Sequence, residues 1–240
     1  MTAIGPYEFS EQDVERTLLS GRTFFDLLTG GLPSSAADAA APFRARAEAV
    51  LDEVAPGDPD AALGIWWGEW RSAMAAVRET GAFGKPDIGT ATGLFLSDGG
   101  VPKQRVESLE VDHAGVVGDR QADRANHGCP WQALCLWSTE AVDHFRAHGN
   151  PVAPGRAGEN ISITGLVWER VRPGARLRIG DVLAEVSSYA TPCHKNGAWF
   201  VDGRFDAMHH RHGPHSRVYA IVLEPGTITA GAPVLLEPDA

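Results

Sequence analysis

The stretch Arg176-Leu177-Arg178-Ile179-Gly180-Asp181-Val182-Leu183-Ala184-Glu185-Val186 decides how the second half of this chain is built. Two short runs rich in branched apolar residues, 176–179 and 182–186, are separated by Gly-Asp, which is the pattern of two strands and a turn. The same pattern recurs on both sides. Runs at 93–96, 105–111, 131–137 and 160–163 precede it, and runs at 218–223 and 233–236 follow, with Gly, Pro and Asp between them. Only residues 138–148 in this half read as helix, opened by Ser138 or Thr139 and closed before Gly149. Many short strands with few helices predict a barrel or closed sheet.

Residues 1–87 follow a different period. Leu63, Trp66, Trp67, Trp70, Met74 and Val77 recur every three to four residues, one face of a helix. Asp58-Pro59 suits an N-cap followed by proline in the first turn, and Gly81 suits the exit. Phe43, Ala47, Val50, Leu51 and Val54 make a second stripe. Val14, Leu18 and the cluster at 24–28 make a third, ending near Gly30-Gly31. Residues 33–42, rich in Ser and Ala, read as the connecting loop. At this spacing the tryptophan stripe reads as core packing rather than a ligand box. The expectation is an α+β chain: a small helical region over 1–87, then a β-barrel domain over 88–240.

The chain has 240 residues, 43% hydrophobic and 22% charged, ordinary values for a globular protein. No run approaches the roughly 18 apolar residues of a membrane helix. Residues 1–10 lack the basic start and apolar run of a signal peptide. The net charge of −10 argues against binding a phosphate backbone, which needs clustered Lys and Arg. Neither nucleic acid nor membrane is an expected partner. The three cysteines form no C-x-x-C and read as thiols of a reducing, cytoplasmic setting.

Residues 1–87 hold 7 basic and 14 acidic side chains, while all nine histidines and all three cysteines lie beyond them. Titratable and nucleophilic chemistry therefore belongs to the second part. Residues 81–85 do not have the spacing of a phosphate loop, and neither G-x-G-x-x-G nor G-x-S-x-G occurs where it would be needed. His209, His210, His212 and His215 invite a metal reading, but without H-E-x-x-H or paired carboxylates a solvated loop is the better one. Cys193 is the most suggestive residue. It follows the strand Val182–Tyr189 within Thr191-Pro192-Cys193-His194-Lys195, where His194 and Lys195 favour a thiolate. Nucleophile, sulfur carrier, metal ligand and inert thiol all remain open for it at this level. Cys129 and Cys135 read as structural.

Asp98-Gly99-Gly100-Val101-Pro102-Lys103, Gly118-Asp119-Arg120-Gln121, His127-Gly128, Trp131-Gln132-Ala133-Leu134, Gly158-Glu159-Asn160, Gly165-Leu166 and Pro192-Cys193-His194-Lys195 follow one another in an order and spacing that resemble the MOSC domain, named for the C-terminal part of molybdenum cofactor sulfurases. The resemblance covers about 150 residues, from roughly Thr90 to Glu237. It implies a β-barrel-like fold with one functional cysteine, here Cys193. In some members that cysteine carries persulfide sulfur, and in others it ligates molybdenum of the pterin cofactor. Standalone bacterial members include reductases of N-hydroxylated bases. One departure is the His127-Gly128-Cys129 triplet, where the family usually has H-G-G.

The site expected on this basis has Cys193, Lys195 and His194 as catalytic residues, with Cys193 also the metal ligand. Asp119, Arg120, His127, Gly128, Gly158, Glu159 and Asn160 are expected around the cofactor, their tight turns offering amides, with Arg120 and His127 as side-chain donors. Three functions follow. The first is a molybdenum-cofactor-dependent reductase of small N-oxygenated molecules. The second is a persulfide carrier or sulfurtransferase fed by a cysteine desulfurase. The third is a non-catalytic ligand-binding module whose acidic helical part docks a partner.

Overall fold

The computed structural model describes residues 1–123 and 126–238. The chain divides into two compact units, Met1–Lys85 with Pro238–Ala240, and Pro86–Glu237. No helix among the described residues is long and apolar enough to cross a membrane.

The first unit opens with a small antiparallel hairpin, β1 (Thr2–Ile4) and β2 (Tyr7–Phe9). Three helices follow: α1 (Glu11–Thr29), α2 (Ser34–Glu53) and α3 (Pro59–Arg78). Ser10 and Asp13 cap the start of α1 reciprocally, so two amides with no partner inside the helix find one. Asp58 caps α3 by accepting from the Ala61 amide at 3.0 Å. The tryptophan stripe is core. Trp66 and Trp70 stack at 5.5 Å, Phe24 packs on both, and Tyr7 and Phe9 close on Trp67.

One expectation fails here. Residues 34–42 are not a loop but the first half of α2, with Pro42 inside the helix. Alanine is the best helix former, and five alanines between positions 36 and 41 outweigh the two serines. Ala36 and Ala40 are buried, and Ala47 continues their face.

The second unit is a barrel. Its strands are β3 (Asp87–Leu96), β4 (Gln104–Val106), β5 (Ser108–Asp112), β6 (Gly115–Val116), β7 (Leu134–Ser138), β8 (Ile161–Thr164), β9 (Arg176–Ile179), β10 (Val182–Tyr189), β11 (Val218–Glu224), β12 (Gly226–Thr229) and β13 (Pro233–Leu236). A helix, α4 (Thr139–Ala147), connects β7 to β8. Seven strands close in the order β3, β8, β7, β11, β10, β9, β13 and back to β3. Only the β7–β8 pair is parallel, as the helical crossover between them requires. The fold is α+β, as the strand-rich pattern predicts. β4 extends the barrel along β3, and β12, β5 and β6 form a small separate sheet.

The opening stretch of sequence supplies β9, the turn and β10. Its register sets Arg176 opposite Glu185. The Glu185 carboxylate is buried in the strand and accepts from Arg176 Nε at 2.7 Å, so the one acid within an apolar strand is paired. Two sequence-predicted strands are cut differently. The run at 105–111 breaks at Glu107 into β4 and β5, and the run at 131–137 starts as a 3-10 turn over Pro130–Gln132. β6 and β12, two and four residues long, are too short to show a period.

All seven barrel strands lie between Asp87 and Leu236. A fragment of residues 84–240 is therefore expected to keep a β-type circular dichroism spectrum and one cooperative thermal transition. A chain that is unfolded by that measure would mean the helical unit is part of the barrel's own core.

Candidate thiol-lined binding site

The ends of four strands converge on one cavity. Ser97 follows β3, Asn160 precedes β8, Cys193 follows β10 and Arg217 precedes β11; Cys135 joins them from within β7. Cys135 and Tyr219 are register partners across β7 and β11, and both line it.

Asp119 organises one wall. Gly118 takes φ +84°, a left-handed turn that glycine adopts without strain. The Asp119 carboxylate then accepts from the Ser97 amide at 2.7 Å, from Asn160 Nδ2 at 2.9 Å and from the Lys103 ammonium. Asn160 carries the link onward. Its Oδ1 accepts from the Cys135 amide at 3.1 Å, and its Nδ2 also reaches the Phe95 carbonyl at 3.3 Å. Asp119 and Asn160 thus hold the cavity's framework together, with Lys103 as the counter-ion.

The opposite wall is the Cys193 loop. The Cys193 amide donates to Asn196 Oδ1 at 3.5 Å, and the Asn196 amide donates back to the Cys193 carbonyl at 2.9 Å. Asn196 is buried, and its Nδ2 reaches the Ala157 carbonyl at 3.3 Å. The 3-10 turns that follow send Phe200 and Met208 into an apolar cluster with Trp137, Val142 and Phe145. The loop is therefore fixed at both ends, and Cys193 is left half-buried at the cavity.

Arg217 is buried between the two walls. It donates to the Ala157 carbonyl and, at 3.2 Å, to Asn196 Oδ1, while its Nε is buried with no hydrogen-bond partner among the described residues. Burial works against its charge, but Cys135, Tyr219, Glu159 and Cys193 together raise its pKa above the ordinary arginine value. A buried donor left unmade is costly unless a ligand meets it. Burial pushes the Cys135 thiol up, against the pull of Arg217. His127 faces Tyr219 at 3.5 Å. At the rim, Asn126 foremost, then His127 and Lys195, hold the exposed Asp123 carboxyl below its usual range.

The expected residues divide. Cys193, Lys195, Asp119, Arg120, His127, Gly128, Gly158 and Asn160 all line the cavity. Arg120 sits on its exposed edge, paired with Asp98 at 2.9 Å. Gly158, at φ +94°, brings backbone close to the wall, since a Cβ there would meet Val101 Cγ1 at 3.2 Å. His194 is exposed and outside the lining. Glu159 is fully buried and faces away, accepting from the Gly155 amide at 2.6 Å, and burial raises its pKa. In the G-E-N triplet, then, the flanking Gly and Asn reach the cavity and the Glu braces the loop behind them.

Cys129 is buried and does not line the cavity, so the His-Gly-Cys departure adds no thiol there. Cys135, read from sequence as structural, does line it. Arg217, Asn196 and Tyr219 were missed. Their only trace in sequence is an Arg and a Tyr flanking the apolar start of a strand and an Asn three residues after a cysteine.

The late histidines disperse. His210 lies flat on Tyr189 at 4.5 Å and is lowered to about 4 by burial and by its neighbours His209 and Arg211. His212 bonds Asp206 at 2.8 Å, and His215 stacks on His144 at 4.0 Å. Among the described residues no three of His, Cys, Asp or Glu converge on a point that could hold a metal ion.

A closed, seven-stranded barrel with a thiol and a buried guanidinium in one cavity defines the class. Residues 123–235 match the model of the MOSC domain, and the second unit carries a MOSC domain. The chain is 31% identical over 136 residues to the protein YiiM of Escherichia coli (strain K12), covering 53% of this chain and 58% of that one. It is 27% identical over 150 residues to the uncharacterized protein YflK of Bacillus subtilis (strain 168), covering 62% and 67%. The crystal structure of a hypothetical protein, 28% identical, superposes with a TM-score of 0.51 over 62% of this chain and 69% of that one.

Two outcomes follow from this geometry. The Lys103 and Asp119 side chains are only 10% and 3% exposed, so Asp119→Ala strands a buried cation and is expected to lower the barrel's stability by about 3–5 kcal/mol. Arg120→Ala removes an exposed pair and should change it by less than about 1 kcal/mol in the same urea titration. Comparable losses in both would show that Asp119 is not the barrel's brace. The thiols should also separate. In reduced protein without bound cofactor, limited alkylation and peptide mapping are expected to find Cys193 labelled first, because Cys129 and Cys135 are buried. Earlier labelling of Cys129 would remove Cys193 from its place as the accessible thiol.

Proposed function

We propose that the MOSC domain holds a molybdenum–pterin cofactor in this cavity and reduces small N-oxygenated molecules, with the Cys193 thiolate on the metal. The observation that carries the proposal is the presence of a half-buried thiol and a buried arginine in the lining of one cavity. The donor set suits the group: a thiolate is a soft ligand for the metal, and a fixed guanidinium suits an anionic substituent. When bound, the cofactor supplies the two electrons that break an N–O bond.

The chain's own residues have separate tasks. Arg217 draws the anionic part of the ligand by its buried charge in the cavity wall, its Nη1 and Nη2 being held by Ala157 and Asn196. Asn196 orients Cys193. Backbone at Gly128 and Gly158 gives a close, side-chain-free approach. Lys195 and His127, at the rim, can each pass a proton to a leaving oxygen.

A second reading rests on the exposure of Thr191, His194 and Lys195 around Cys193. An incoming desulfurase could reach the thiol there. Attack of the Cys193 thiolate on the donor's terminal persulfide sulfur would leave Cys193 as persulfide and the donor as thiolate.

The two readings differ in what the purified protein contains. From a host competent in cofactor synthesis, the wild type is expected to hold about one molybdenum per chain, lost in Cys193→Ala and reduced in Arg217→Gln. Reduction of an N-hydroxylated base with an artificial electron donor should fall with it. Metal-free protein whose Cys193 peptide carries an added sulfur would overturn the reductase in favour of the carrier.

A further inference from the structure

The first unit carries a surface that its own packing leaves unused. On α1, Phe24, Phe25 and Leu28 face the core. A second stripe runs beside them, with Glu11, Val14 and Glu15, Leu18 and Leu19, then Arg22, at the spacing of one helical face. This stripe forms one side of a groove whose other side is Leu51, Ala55 and the start of α3, with Met1 at its edge. Leu19 is 78% exposed and Met1 84%, while Leu18, Leu51 and Ala55 are half-buried and Val14 forms the buried floor.

The carboxylates around the groove outnumber its basic side chains. Glu11 and Glu15 stand over it, and Asp60 lies at the far side. Glu11 and Asp60 are explained in part by their places in the first turns of α1 and α3, where a carboxylate meets the helix dipole, and Asp60 also accepts from the Thr2 hydroxyl. Glu15, a turn further on, is not. The one cation of the lining, Arg22, is already paired with Asp52 at 2.7 Å. The surrounding sequence is acidic too, with 14 acidic against 7 basic residues over 1–87.

We propose that this groove docks a basic amphipathic helix of a partner protein. Leucine-like residues at three-to-four-residue spacing would lie on Leu18, Leu19 and Leu51, and flanking Lys or Arg would meet Glu11, Glu15 and Asp60. The stripe from Glu11 to Arg22 is about 16 Å long at 1.5 Å per residue, room for about three helical turns. A second copy of this chain is a poor occupant, because a two-fold contact on this face sets the same carboxylates against each other. The inference rests on the first unit alone and is independent of the chemistry at Cys193.

The test uses the full chain and a fluorescein-labelled Lys/Leu helix of roughly two heptads, followed by anisotropy at about 50 and 300 mM salt. Saturable binding is expected, weaker at the higher salt. Leu19→Ser and Glu15→Lys should each weaken it about tenfold, at unchanged circular dichroism. Asp38→Lys, an exposed charge change of the same size on α2, should leave it within about twofold. Equal weakening by Asp38→Lys would mean unspecific charge attraction and overturn the proposal, as would no saturable binding. A self-association in sedimentation that Leu19→Ser abolishes would assign the groove to a second copy, and overturn it too.

Discussion

The buried carboxylate of Asp119 is the constraint on which the barrel's working end depends. A carboxylate with only 3% of its side chain exposed needs a counter-ion and hydrogen-bond donors in place of water. It is answered by the Ser97 amide, the Lys103 ammonium and the Asn160 amide group, three groups that come from separate parts of the chain. Because Asn160 also accepts from the Cys135 amide, the same network sets where β7 passes the cavity. The framework at this end of the barrel is thus assembled by polar demand.

Arg217 gives the cavity its electrical character. Its guanidinium is buried, yet the buried acid nearest to it in influence, Glu159, is itself pushed toward the neutral form by burial. Cys135 is likewise held toward the neutral thiol. Arg217 thus meets its partners in the wall through hydrogen bonds to Ala157 and Asn196. A ligand that brings negative charge, or a thiolate formed at Cys193, completes the balance. The two cavity thiols consequently differ in kind: Cys135 is a buried, protonated wall residue, and Cys193 is half-buried at the opening.

Much of this was legible in the sequence, and the exceptions have physical reasons. The strands at Arg176–Ile179 and Pro233–Leu236 were readable to the residue because turn residues bound them on both sides. The tryptophan stripe was readable because Trp66, Trp67 and Trp70 keep one helical face. Residues 34–42 misled because serine and proline signal loops, while the helical drive came from alanines with little pattern of their own. Asn196 and Arg217 were out of reach for a different reason. Neither has local chemistry that marks it, and each acquires its role only when Ala157, 39 and 60 residues away, is brought alongside. Glu159 shows the converse error, since a motif residue can belong to the site's scaffold without facing it.

Metal ligation and sulfur carriage ask different things of the segment around Cys193, and that difference bears on its construction. A carrier thiol must move between donor and acceptor, so a loop that swings suits it. A metal ligand must keep one position against a pull from the metal, and strain in its backbone would weaken the bond. Here the Cys193 backbone exchanges hydrogen bonds with Asn196, which is itself tied to Ala157 and Arg217. Beyond it, Phe200 and Met208 sit in the cluster under α4. Freeing Cys193 would require withdrawing a buried asparagine and leaving the buried Arg217 with fewer partners, a double penalty for motion. The position of Cys193 is thus tied, through Asn196, to the same buried groups that form the cavity wall.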